Sequence, residues 1–182
     1  SVEEPRTGTD GTLSWTVDIR NPATGEDFVL GLKEVTLPDG VTRPYSMWLA
    51  GHYPRALDGL ARLLSLDMRI IDPAWIGMKL RKLLGYSEPL CDFLAFVPGE
   101  KRQQNWPSSV AYIARLVIHR YAMLGVLDEQ GYPRSGSENR EVRDGDAGLM
   151  SGKLCSECGN HSVIRKDGCD FCTACGAVGS CG

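Results

Sequence analysis

Six of the seven cysteines in this 182-residue chain fall between Cys155 and Cys181. The stretch reads Cys155-Ser-Glu-Cys158-Gly159, then a polar segment, then Gly168-Cys169-Asp-Phe-Cys172-Thr-Ala-Cys175-Gly176, and closes with Cys181-Gly182. Two thiolates separated by two residues can grip one metal ion from a tight turn. A second such turn completes a tetrahedral shell with bonds of about 2.3 Å. Gly159 and Gly176 each follow the second cysteine of a pair, where the chain must turn back and a positive φ costs glycine little. Between the pairs, residues 162–165 followed by Asp167-Gly168 predict a short hairpin. This is the pattern of a zinc ribbon.

Six thiols exceed what one tetrahedral ion takes. One assignment gives the metal Cys155, Cys158, Cys172 and Cys175, leaving Cys169 and Cys181. The other uses Cys155, Cys158, Cys169 and Cys172, leaving Cys175 and Cys181. The first is preferred because Thr173 follows Cys172 where a knuckle wants glycine. The spare pair is either inert, as passengers or a local disulfide, or redox-active. Position favours activity: Cys181 is penultimate, on the glycine-rich residues 176–180, where a thiol is expected to be accessible. Exchange needs a thiolate, access and a partner sulfur.

Clustering at metal spacing, not scatter, points to a reducing compartment and a cytoplasmic protein. Net charge is −3, which leaves no overall basic footprint for nucleic acid. Within residues 151–182, Lys153, Arg165 and Lys166 are balanced by Glu157, Asp167 and Asp170, and Phe171 is the only aromatic residue. Phosphate affinity scales with cationic contacts, so this ribbon is a poor nucleic-acid reader. No stretch has the length of a membrane span or the pattern of a signal peptide. The first residue is Ser1, as expected of a processed chain or a piece of a longer one.

Upstream, the predicted fold class is α+β: a small antiparallel sheet, about three helices, a flexible linker and the C-terminal zinc ribbon. Residues 1–11 read as a connector and 12–131 as the module. Strands are expected over 13–19, 28–32 and 45–50, from alternation and intervening turns. Leu57, Leu60, Ala61, Leu64 and Met68 mark one face of a first helix. Asp72-Pro73 caps a second, which buries Ile76, Leu80, Leu83 and Leu84 and ends at Gly85. Its outer face, Lys79, Arg81 and Lys82, reads as solvated in preference to the alternative, a docking face for an acidic partner. Residues 86–106 read as a loop holding a buried, inert Cys91. A third helix spans about 107–124 over Val110, Ile113, Ala114, Val117 and Tyr121. His119 lies off that stripe and is expected to be exposed, with nothing near it to make a catalytic base; His52 is equally plain, and His161, in the ribbon hairpin, could replace a cysteine ligand but is disfavoured by four better-spaced thiolates. Residues 132–150 are polar and charged, a linker with a reach of roughly 22–26 Å. The ribbon of 151–182 is thus expected to be tethered and not fixed. No phosphate loop or catalytic triad is legible.

The tail pattern, carried by Cys155, Cys158, Gly159, Gly168, Cys169, Cys172, Cys175, Gly176, Cys181 and Gly182, resembles the cysteine-rich C-terminal domain of adenosylcobalamin-dependent (class II) ribonucleotide reductases. The upstream order of strands and helices is similar to the TSCPD-type module of those enzymes, although the Thr-Ser-Cys-Pro-Asp string itself is lacking. The resemblance implies zinc at Cys155, Cys158, Cys172 and Cys175, and a redox relay through Cys169 and Cys181 that re-reduces an active-site disulfide. Adenosylcobalamin would then sit on the catalytic core, which would be part of the same chain or a separate subunit. The other partner is thioredoxin or a similar reductant. On this reading the chain is not catalytic alone. A competing class is a zinc-ribbon adaptor that binds nucleic acid or promotes oligomerisation, without redox chemistry.

Overall fold

The computed structural model describes residues 6, 8–134 and 153–181. Most of the expected connector and linker lie outside these. The first sheet is an antiparallel meander of β1 (Ser14–Asn21), β2 (Glu26–Thr36) and β3 (Thr42–His52), in that spatial order. The β1–β2 turn closes where Asn21 Oδ1 accepts from Ala23 N–H at 3.0 Å and Gly25 takes φ +73°. Inward residues Ile19, Leu30 and Leu32 are fully buried. On β2, Gly31 has no tolerance for a side chain: a Cβ would lie 2.0 Å from the Trp48 ring, which crosses over it to reach Ser14 Oγ.

Helix α1 (Ala56–Met68) packs along β3, an edge strand. Ser65 Oγ accepts from the Met47 backbone N–H at 2.8 Å and donates to Ala61 O. An edge donor that would otherwise be left buried is thereby satisfied. Helix α2 (Pro73–Leu83) starts where the sequence rules place it, with the Asp72 carboxylate accepting from Ala74 N–H. Ile76 and Leu80 are fully buried, whereas Leu83 and Leu84 are only half-buried.

Residues 86–106 are not a plain loop. They hold a hairpin of β4 (Phe93–Phe96) and β5 (Gln103–Trp106). Its inward Phe93 and Trp106 pack against Tyr112. Helix α3 (Ser109–Met123) follows, capped by the Ser108 hydroxyl, and is the centre of the module. Its buried surface is wider than one stripe, adding Ala111, Tyr112, Leu116, Ile118 and Ala122 to the expected face, because sheet, α2 and hairpin all lean on it. Arg120 ties it to β2 through two bonds to Glu34, at 2.6 and 2.9 Å.

The tail forms a further, four-stranded antiparallel sheet: β6 (Lys153–Leu154), β7 (His161–Lys166), β8 (Cys169–Cys172) and β9 (Val178–Cys181). Asp167 and Gly168 both take positive φ, +52° and +80°, as a two-residue hairpin turn requires. Among the described residues no helix is long and apolar enough to cross a membrane.

Candidate metal centre and paired thiols

Two turns build the cluster. In the first, Gly159 N–H donates to Cys155 O at 2.8 Å with Gly159 at φ +72°. In the second, Gly176 N–H donates to Cys172 O at 2.9 Å with Gly176 at φ +76°. Each turn aims two sulfurs at a common centre. The sulfurs of Cys155, Cys158, Cys172 and Cys175 all lie within 4.8 Å of one another. Cys155 to Cys175 is 3.8 Å and Cys158 to Cys172 is 3.6 Å. A tetrahedral ion with thiolate bonds of about 2.3 Å needs edges of about 3.8 Å. The spacing therefore suits one tetrahedral metal ion and is compatible with zinc.

The thiols are not electrostatically equal. Burial pushes Cys158 up to about 12, reinforced by the neighbouring thiols. Burial also acts against the Cys172 thiolate, but the Ser162 hydroxyl, 3.1 Å away, and backbone N–H groups of the second turn outweigh it and bring Cys172 down to about 6. Burial raises Cys175 as well.

Cys169 is not in this cluster. It stands directly opposite Cys181 on β8 and β9, and the two are joined in a disulfide with Cα atoms 4.0 Å apart. The partition is thus four and two, with Cys175 on the metal side. Cys181 is exposed and Cys169 half-buried, on the outer edge of the ribbon. Cys91 is half-buried where full burial was expected; burial and then Glu88 push its thiol up.

The ribbon is seated on α2. Cys155, Cys158 and Cys172 form one apolar cluster with Ala74, and Met78 packs against it. The supposedly solvated face of α2 makes the polar part of this contact. Arg81 donates to Gly131 O at 2.7 Å and to Glu157 O, and its guanidinium stacks 4.0 Å from the Tyr132 ring centre. Lys82 pairs with Glu157 at 2.5 Å and holds that carboxyl below its usual range. Lys79 lies over the Trp75 ring. Tyr132 fills the space above Gly159, where a Cβ would come within 2.2 Å of its ring. Tyr132 belongs to the first residues of the expected linker, yet it is part of the seat. Sequence reasoning missed Ser162, Arg81 and Tyr132 because each acts on a cysteine turn from another element; the one available signal was an aromatic residue opening an otherwise polar stretch.

His119 also departs from expectation. Its side chain is 18% exposed, and Nδ1 lies 3.0 Å from Glu129 Oε1. Comparison with known proteins adds nothing to this geometry: no family model, no curated protein and no solved structure matches the chain.

Proposed function

We propose that this chain is the redox-relay and docking part of an adenosylcobalamin-dependent ribonucleotide reductase. The observation that carries the reading is the division of labour among six thiols. Four converge on a metal-sized centre, and two form a separate disulfide on an accessible ribbon edge. A structural ribbon needs only the four. Zinc at Cys155, Cys158, Cys172 and Cys175 would supply shape, since thiolates hold it in closed, four-coordinate structural sites.

The relay proceeds by thiol–disulfide exchange. Each ribonucleotide reduced leaves the active-site dithiol of the core as a disulfide. With Cys169 and Cys181 in the dithiol form, one thiolate attacks that disulfide and forms a mixed disulfide. The second thiolate attacks the mixed disulfide, closing Cys169–Cys181 and releasing the core dithiol. Two electrons and two protons move. A thioredoxin-like dithiol then reduces Cys169–Cys181 for the next cycle. The state described above, with these two cysteines joined, corresponds to the spent relay. Such a cycle belongs in a reducing, cytoplasmic compartment.

The test is complementation. Wild-type chain or Cys181→Ser is added to a reductase core lacking its own tail, and multiple turnovers are followed with a dithiol reductant. Restoration by wild type alone is expected. Equal restoration by both variants would make the ribbon structural. Restoration by neither, with binding to nucleic acid, would favour an adaptor.

A further inference from the structure

A second site lies in the upstream module and is independent of the relay. A cavity of about 370 Å³ opens among the start of β2, the first turns of α1 and α3, and the end of α2. That volume falls in the range of small-molecule sites, about 300–1,000 Å³. Leu57, Leu60, Leu83 and Val110 give it an apolar wall. Its charged lining is Glu26 and Glu88, and among the described residues no lysine, arginine or histidine joins them.

Glu26 is only 8% exposed, and a carboxylate at that depth is ordinarily paired with a cation. Glu34, on the same strand, shows the ordinary case: its side chain is 10% exposed and takes two bonds from Arg120. Glu26 has one hydroxyl instead, with Ser109 Oγ donating to its Oε2. The fully buried Asn21 donates from Nδ2 to that same serine oxygen at 3.0 Å, so the serine proton is committed to Glu26 and the carboxylate is held in place. Oε1 accepts from no described residue and is open to the cavity it lines. The N-terminus of α3 offsets about half a unit of charge, which still leaves the cavity net negative. The nearby helix starts offer an anion little. Leu57 and Asp58 N–H already donate to Pro54 O and Arg55 O, and Ala111 N–H donates to the Ser108 hydroxyl.

We propose that this cavity binds a small organic cation, a primary ammonium carried on an apolar stem. The ammonium donates to Glu26 Oε1, Glu88 adds a second negative charge, and the stem lies against the leucines and Val110. An N–H bond to a carboxylate is charge-assisted and about twice as strong as a neutral one, so the ligand needs both the charge and the proton. Ser109 and Asn21 are positioning residues that aim the carboxylate.

The test is an NMR titration of the full chain at neutral pH with hexylamine, butylamine, hexanol and hexanoate, reading the methyl signals of Leu57, Leu60 and Val110. Saturable shifts at these residues are expected with hexylamine. Butylamine, two methylenes shorter, should bind about tenfold more weakly. Hexanol keeps the stem without the charge and should lose about tenfold or more; hexanoate should not bind. Glu26→Gln keeps the shape of the side chain and should weaken hexylamine by about tenfold or more, with no such loss for hexanol. Glu88→Gln, at a half-exposed position, should weaken hexylamine about threefold with unchanged circular dichroism. Should Glu26→Gln not fold, the wild-type series and Glu88→Gln decide. Three results would overturn the proposal: no saturable shift with hexylamine, hexanol or hexanoate binding as tightly as the amine, or a hexylamine affinity that neither glutamine variant changes.

Discussion

The upstream module and the cysteine ribbon are stabilised in different ways. The module closes around α3, whose Ile113, Val117, Ile118 and Tyr121 are all fully buried against sheet, helices and hairpin. Its stability is spread over many contacts, so no single side chain decides whether it folds. The ribbon has almost no core: among its described residues those buried are Cys155, Cys158 and Cys172, sharing a cluster with Ala74. It relies on two glycine turns, four sulfurs and a seat on α2. One region is held by distributed burial and the other by a few bonds at one point.

The largest effect should come from the sulfurs. Cys158→Ser, or removal of the metal by a chelator, should unfold the ribbon while the module's cooperative transition moves little. Structural zinc is worth about 10–16 kcal/mol in apparent binding free energy, so loss of β7–β9 amide protection in hydrogen exchange should be complete. A coupled collapse of both regions would erase the contrast. In the other direction, Ile113→Ala should cost the module about 2–5 kcal/mol in denaturant unfolding, yet leave metal stoichiometry at one per chain. Next comes the seat. Arg81→Ala removes a half-buried cation that bonds Gly131 and Glu157 and stacks on Tyr132. Its loss should weaken docking by about 1–3 kcal/mol, seen as faster ribbon tumbling in ¹⁵N relaxation, with the metal retained. Gly159→Ala, at φ +72° and against Tyr132, should cost about 1–2 kcal/mol from backbone strain, plus displacement of the ring.

The smallest effect is a pH dependence of the seat. Lys82 lowers the Glu157 pKa. A carboxyl depressed in the seated state contributes fully above its ordinary range, and the contribution is lost as pH falls through the lowered value. Acid should therefore loosen the ribbon before it touches the module, and Glu157→Gln should abolish that pH step. Because both side chains are substantially exposed, the step should be small and fade with salt.

The same contrast decided what was legible in the sequence. The ribbon obeys local rules: paired cysteines, following glycines and an Asp-Gly turn all act within a few residues, so the β7–β8 hairpin and the preferred four-cysteine set could be read directly, whereas β9 lies in the glycine-rich stretch expected to be a free end. Helix α2 was equally plain from Asp72-Pro73. The β4–β5 hairpin was obscured because β5 reads Gln-Gln-Asn-Trp, with no alternation to mark it. Its only cue was the Pro98-Gly99 turn. Arg81 and Lys82 have the appearance of a solvated helix face because their partner, Glu157, lies far along the chain. His119 gave no sign of Glu129, since that carboxylate reaches it from a turn beyond the helix and no periodicity reports such a contact.

Differential alkylation tests the four-and-two partition most directly. In a Cys91→Ser background, the zinc-loaded chain is treated with a mild dithiol under native conditions, labelled, and mapped by mass spectrometry alongside its metal content. The account predicts label at Cys169 and Cys181 alone, with one zinc retained and the disulfide reforming on oxidation. Label at Cys175 with Cys169 protected, or release of zinc whenever Cys181 is reduced, would contradict it.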